Sequence, residues 1–243
     1  SQKMTIENFK PNILVCVPTH SGNISYGTCQ SLLNAMQPDY LSYYSLQVVF
    51  IRGSELCDGF NKGFELAYQN KDKYTHFLLL HDDIQLLDPD WLLKMLITWN
   101  QTRAEVLSVL SPLKGDGRLA SCVLKNEVYT HTDKWDFDKI TIEEAHKKTG
   151  LNGYFYADLV NTGCMLVDLR AKCFQDIKKN QNEFSHVSDT VWFHNHHKIQ
   201  NNKTYFFPED YRFSQLVRTY GGKTICVTNI KLLHYGINSW KNW

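Results

Sequence analysis

Short apolar runs alternate with segments of helical period through the first half of the chain. "ILVCV" (Ile13 to Val17), "LQVVFI" (Leu46 to Ile51) and "FLLL" (Phe77 to Leu80) suit strands buried on both faces, and the stretches near Tyr26 to Met36 and Glu55 to Asn70 suit helices. Such alternation predicts right-handed crossovers and a largely parallel sheet covered on both sides. The expected fold class is therefore α/β, a three-layer α/β/α sandwich around a mostly parallel central sheet.

Further strands are expected at Val106 to Leu110, Leu119 to Leu124 and Cys164 to Val167. Asp88 is placed to cap a helix whose first residue is Pro89, with Leu92, Leu93, Leu96 and Ile97 on one face. In "FFPEDYRFSQLVRTYGGKTICV", Pro208 opens a helix with Phe213, Leu216, Val217 and Tyr220 on its apolar side, and Gly221 or Gly222 ends it before a strand at Thr224 to Val227. "HNHHK" (His194 to Lys198) reads as part of a helix capped by Asp189, with Trp192, Phe193, His196 and Ile199 spread over its faces, rather than as a zinc site. The region 127–153 is polar and weakly periodic and predicts no element. Trp240, Trp243 and Lys241 in the tail admit two readings, a flap over a diphosphate or sugar and a disordered terminus.

Charge changes this picture little: 26 Lys and Arg against 25 Asp and Glu give a formal +1, with no bulk field to draw nucleic acid or anionic lipid. Seven cysteines, an odd number without a Cys-x-x-Cys pair, point to buried thiols in a reducing compartment. No apolar run approaches the roughly 18 residues of a membrane span, and the first residues lack a signal-peptide pattern, so a cytoplasmic location is expected.

The chemistry concentrates where the Phe77 strand ends, on His81, Asp82 and Asp83. Residues two apart on an extended segment share a face, so His81 and Asp83 point to one side and Asp82 to the other. Open α/β sheets bind ligands at this carboxyl edge. Magnesium or manganese would take oxygen ligands here and keep positions for phosphate oxygens; the plainer reading is a turn former or helix cap. "CVPTHSGN" sets Pro18, Thr19 and His20 in a loop at the same edge, with backbone N–H groups and hydroxyls. The chain has no Walker lysine and no Gly-x-Gly-x-x-Gly, which argues against a P-loop enzyme or a Rossmann dehydrogenase.

"ILVCVPTHSGN", "FNKGFELA", "FLLLHDDIQL", "NTGCMLV", "FPEDYRFSQLVRTYGGKTICV" and "LLHYG" come in the order and at roughly the spacing of GT-A-fold glycosyltransferases. Over about residues 12–236 the chain resembles the large inverting family of bacterial and viral members that use nucleotide sugars. The resemblance implies a divalent metal, manganese or magnesium, held through Asp83, with His81 where a first Asp is usual and His234 as a further candidate ligand. It implies that Asp210 deprotonates the acceptor hydroxyl, with Glu209 as alternate. Donor contacts are implied for Pro18, Thr19, His20, Asn61, His81 and Asp82. Two positions depart from the pattern: Ile51 and Arg52 stand where an acidic residue often reads the donor base, and Phe60 stands where an Arg usually precedes Asn61.

The organisation so implied is a single domain, 1–243, with a nucleotide-binding half at about 12–110, an acceptor and catalytic half at about 111–236, and a tail at 237–243. The implied activity moves a sugar from a nucleotide diphosphate sugar to a hydroxyl of a glycan, a lipid-linked glycan or a macromolecule, with inversion. The alternative is a catalytically silent nucleotide-sugar or glycan-binding module on the same fold, suggested by the departures at His81 and Phe60. A third reading, nucleotidyl transfer to a sugar phosphate, normally shows a Gly- and Lys-rich first loop that Thr19 to Asn23 lacks.

Overall fold

The first half runs β1 (Asn12–Thr19), α1 (Tyr26–Ala35), α2 (Pro38–Leu41), β2 (Ser45–Arg52), α3 (Leu56–Gln69), β3 (His76–Leu80), β4 (Ile84–Leu86), α4 (Trp91–Thr102), β5 (Val106–Val109), β6 (Pro112–Leu113) and β7 (Asp116–Val123). The second half runs β8 (Lys139–Thr141), α5 (Ile142–Thr149), β9 (Tyr154–Tyr156), β10 (Leu159–Val160), β11 (Cys164–Asp168), α6 (Lys172–Phe184), β12 (His196–Gln200), β13 (Lys203–Phe207), α7 (Glu209–Thr219), β14 (Thr224–Val227), β15 (Leu232–Tyr235) and β16 (Ser239–Lys241). This computed structural model describes residues 10–53, 56–124, 139–184, 192–193, 196–200, 203–207 and 209–243, and by backbone alone 56–58, 181–184, 196–200, 203–207 and 209–210.

Seven strands form the central sheet in the order β2-β1-β3-β11-β5-β14-β9. β1 pairs in parallel with β2 and β3, and β5 in parallel with β14. β11 lies antiparallel between β3 and β5, and β9 antiparallel against β14. Five strands (β1, β2, β3, β5, β14) therefore run one way, and their carboxyl ends share an edge.

Strand alternation builds two cores. Leu14, Cys16, Phe77, Leu79, Met165 and Val167 face α3, α6 and α7, where Phe64, Phe174 and Phe213 pack on them. Ile13, Val15, Leu78, Leu80, Cys164 and Leu166 face α1 and α4, where Leu32, Trp91 and Met95 close the other side. Burial on both faces is why these strands read as unbroken apolar runs. Gly63 brings α3 onto β1, because a Cβ there would stand 2.4 Å from the Cys16 sulfur.

Several expectations need correction. α4 starts at Trp91, not Pro89, because the Asp88 carboxylate accepts the Lys231 N–H at 2.7 Å and pairs with Lys94 at 3.5 Å instead of capping. His196–Gln200 is a strand, not helix: it pairs antiparallel with Lys203–Phe207 in the register His196↔Phe207 and Gln200↔Lys203. Thr204, Tyr205, Phe206 and Phe207 suit a strand, and the antiparallel pairing carries His196–Gln200 with them. His194 and Asp189 lie outside the described residues. Within the unassigned region, Thr141 and Glu144 form a reciprocal capping box that starts α5.

The tail is folded. β16 pairs with β15, and β15 with β4, in a three-stranded sheet that begins directly after His81–Asp83. The buried Asn242 side chain accepts the Leu232 N–H and donates to the Leu110 and Ile230 carbonyls, each at 2.8 Å. Such a fully paired buried amide ties the tail to the end of the central sheet.

Candidate active site

Three distant segments fix the backbone after β3. The His81 N–H donates to the Gly163 carbonyl at 2.9 Å, the Asp82 carbonyl accepts from the Ser25 N–H at 2.9 Å, and the Asp83 carbonyl accepts from the Tyr235 N–H at 2.8 Å. The Thr28 hydroxyl adds a bond to the Ile84 carbonyl at 2.7 Å. The start of α1, the loop before β11 and strand β15 thus hold the acidic turn from three sides.

Asp83 and His234 come together. The antiparallel pairing of β15 with β4 sets His234 opposite Ile84, and its Nε2 lies 3.4 Å from Asp83 Oδ2. His234 Nδ1 lies 2.9 Å from the Pro112 carbonyl, which only accepts, so Nδ1 carries a proton. Its Nε2 is thereby turned toward the Asp83 carboxylate. The other oxygen of Asp83, Oδ1, is buried without a hydrogen-bond partner among the described residues. Burial raises the Asp83 pKa, but His234, Lys114 and His81 outweigh it and hold the carboxyl well below the usual carboxylate range.

Lys114, which the sequence pattern did not single out, ion-pairs with Asp83 Oδ2. It sits with Gly115 at the tip of the β6–β7 hairpin, where Leu113 pairs with Asp116. Gly115 has a φ of +88°, a left-handed conformation that glycine adopts without strain. The same hairpin supplies the Pro112 carbonyl to His234. A turn dipeptide between β7 and the apolar "VLSVL" was the available signal.

His81 and Phe60, the two departures from the family pattern, are in contact: their rings stack at 5.2 Å with a 29° tilt. Thr162 Oγ1 lies 3.0 Å from His81 Nε2. His81 keeps a little exposed surface but is surrounded by protein, and burial is the main cause of its pKa being pushed down to about 4. It is therefore a neutral ring at neutral pH. Asp82 points toward β1, and burial followed by the Asp83 charge raises its pKa, with the nearby Thr19 hydroxyl pulling the other way.

In the first loop, Pro18 is buried, and the Thr19 hydroxyl donates to the Asn23 carbonyl at 2.9 Å while accepting the Gly22 N–H at 3.1 Å. Thr19 therefore shapes the loop, and His20 is exposed beside it. Arg52 lies over Gly22, where a Cβ would stand 3.5 Å from its Nε. Asn61 is engaged elsewhere: its carboxamide oxygen accepts the Trp192 and Phe193 N–H groups at 2.8 and 2.7 Å, and its amide donates to the Phe193 carbonyl. In this conformation it is a backbone clamp on Trp192 and Phe193.

Glu209 and Asp210 open α7, and their side chains lie outside what the structure describes. The helix itself is anchored: the Ser214 hydroxyl accepts the Val160 N–H at 3.0 Å, and Phe213 stacks on Phe193 at 4.4 Å. Val160 runs directly into the Asn161–Gly163 loop that bonds His81. Among the described residues, no group of three or more His, Cys, Asp or Glu side chains is arranged to hold a metal ion. Nor is any described helix long and apolar enough to cross a membrane.

No family model matches the chain, and no curated protein matches it. Among solved structures, A197 from STIV is similar over 93% of this chain and 86% of its own length, with a TM-score of 0.52 and 12% identity. HddC from Yersinia pseudotuberculosis aligns over 92% of this chain and 93% of its own at a TM-score of 0.43 and 9% identity, too low to argue from. The likeness to A197 concerns the fold alone.

Proposed function

We propose that the chain is a glycosyltransferase that moves a sugar from a nucleotide diphosphate sugar to an acceptor hydroxyl, inverting the anomeric carbon and using a divalent metal, manganese or magnesium. The observation that carries this reading is the meeting of Asp83 and His234 at the carboxyl edge of the sheet. A glycosyltransferase-like fold, shared at low identity with A197 from STIV, supports it. On this reading residues about 12–110 bind the nucleotide, about 111–236 meet the acceptor, and the tail at 237–243 completes the same domain.

The residues present fit a metal. Asp83 is held ionised and has a buried oxygen without a partner, and His234 turns Nε2 toward it while Nδ1 is held by a carbonyl. That outer hydrogen bond is the arrangement ligating histidines use to fix their tautomer. Two protein ligands suffice where the substrate phosphates and water fill the remaining positions. When bound, the ion would stabilise the negative charge of the departing nucleotide diphosphate as a Lewis acid.

The chain's own groups do the rest. The exposed His20–Ser21 part of the first loop and the Arg52 guanidinium meet the phosphates, Asp82 accepts from a ribose hydroxyl, and neutral His81 adds no charge beside Asp83. Asp210, in the first turn of α7 where the helix dipole favours the ionised form, takes the proton of the attacking acceptor hydroxyl. A single base opposite the leaving group gives inversion. Acceptors of this class are glycans, lipid-linked glycans or modified macromolecules.

Incubation with manganese and a panel of nucleotide sugars tests this without knowing the acceptor. Slow release of nucleoside diphosphate is expected, with Asp210→Asn abolishing turnover while keeping donor binding. Binding without turnover under any condition favours the silent module, for which the Lys114 ammonium already on Asp83 is the specific argument. Pyrophosphate released from a nucleoside triphosphate favours nucleotidyl transfer.

A further inference from the structure

Asp83 already has a cation. Lys114 bonds Oδ2, the same oxygen that faces His234 Nε2 at 3.4 Å. A divalent ion held by Asp83 and His234 would compete with that ammonium for the same carboxylate. We propose that Lys114 is a resident counter-ion that competes with the metal for Asp83 and moves onto the donor diphosphate when the metal enters. The proposal rests on the reading of this sheet edge as a metal and nucleotide diphosphate site.

Three observations support the exchange. First, the half-buried Asp83 carboxylate carries a charge whose burial is costly, and the Lys114 ammonium on Oδ2 offsets that cost. Second, the lysine is built to leave: its side chain is 46% exposed, and it sits on a two-residue turn whose Gly115 has nothing within 4 Å of a Cβ position. The base of the hairpin is held, by the Pro112 carbonyl on His234 and by Trp240, whose Cδ1 would lie 2.5 Å from a Cβ on Gly117. The side chain can therefore swing while the hairpin stays. Third, once a dication neutralises Asp83, the displaced ammonium and the ion together present net positive charge, suited to a diphosphate through charge-assisted hydrogen bonds.

The test compares wild type with Lys114→Met, which keeps the length and removes the charge, and with Lys114→Arg. Mn²⁺ is titrated alone by electron paramagnetic resonance, and inorganic pyrophosphate is then titrated calorimetrically at saturating Mn²⁺. Lys114→Met is expected to bind Mn²⁺ about threefold or more tightly, since it loses a competing, partly exposed ion pair, and pyrophosphate about tenfold more weakly, since it loses a charged hydrogen bond. Lys114→Arg keeps pyrophosphate binding. Unchanged or weaker Mn²⁺ affinity in Lys114→Met, or undiminished pyrophosphate affinity, overturns the exchange and leaves the glycosyltransferase reading standing. If wild type binds neither Mn²⁺ nor pyrophosphate, both fall. Lys114→Gln serves the same comparison should the methionine variant fold poorly.

Discussion

His76 and Asp83 show how differently two polar side chains on one strand segment are treated. His76, at the start of β3, is fully buried: Thr75 Oγ1 lies 2.7 Å from its Nδ1, and its ring meets Trp99 edge-on at 4.2 Å. Its Nε2 has no partner among the described residues, and burial, helped by Arg170 and Arg103, pushes its pKa down to about 3. The folded value lies below the ordinary 6.5, so between the two the unfolded chain binds the extra proton and stability falls as pH falls. The His76 contribution is complete above about pH 6.5 and is lost toward pH 3, on the order of 2 kcal/mol by pH 5. Urea unfolding at pH 7 and pH 5 should show that loss together with a similar one from His81, whose pKa is also depressed, and His76→Gln should remove the His76 share alone. Asp83 was legible in the sequence because it ends an apolar run, and His234 because it sits in a short motif. Lys114 was not, since it lies 31 residues from Asp83 and only a hairpin tip brings it back. Nor was the Asn61 clamp, whose partners lie 131 and 132 residues away. His81 and Phe60 looked like separate departures in the sequence; in the fold they are one stacked pair, in which a neutral ring suits an apolar neighbour better than a carboxylate would.

Elements were legible where both faces of a strand are buried or a helix carries a wide apolar stripe, and they failed where polarity masked the pattern. α5 is polar on most of its surface, yet its start is written in Thr141 and Glu144, a local signal independent of hydrophobic period. Thr141→Ala should therefore destabilise by about 1 kcal/mol in chemical denaturation, with little effect on donor binding. β12 reads as helix from sequence because five residues with mixed faces fit either period; only the pairing with Lys203–Phe207 decides. The tail sheet depends on one side chain. Asn242→Ala leaves two carbonyls and an N–H unpaired in a buried place, so a loss of about 2–4 kcal/mol in thermal or urea unfolding is expected. Because β15 carries His234, the same variant should weaken Mn²⁺ binding; unaltered Mn²⁺ affinity would separate the tail from the site.

At the scale of the molecule, alternating strands and helices fixed the layers but not strand direction. An apolar run such as "CMLV" in β11 carries no arrow, and its antiparallel insertion between β3 and β5 is set by the connection from β10, which no periodicity records. That insertion brings Asn161–Gly163 to His81, and α7 is bonded to β10 just before that loop through Ser214. The small β16-β15-β4 sheet then closes the other side and sets His234 against Asp83. The layered core is strong independently of the site. Phe64 alone packs its ring against Phe77, Trp192 and Phe213 with centroids 5.2, 4.9 and 5.6 Å away, and Phe64→Ala should lose about 3–5 kcal/mol.

The central claim is that Asp83 and His234 act on one metal ion that binds the donor diphosphate. A double-mutant cycle of Mn²⁺-dependent nucleotide-sugar binding with Asp83→Asn, His234→Ala and the pair tests it most directly. Each single variant should remove nearly all of the manganese-dependent affinity, and the double variant should be no worse than either. Manganese-dependent binding that survives both substitutions, or losses that simply add, would contradict it.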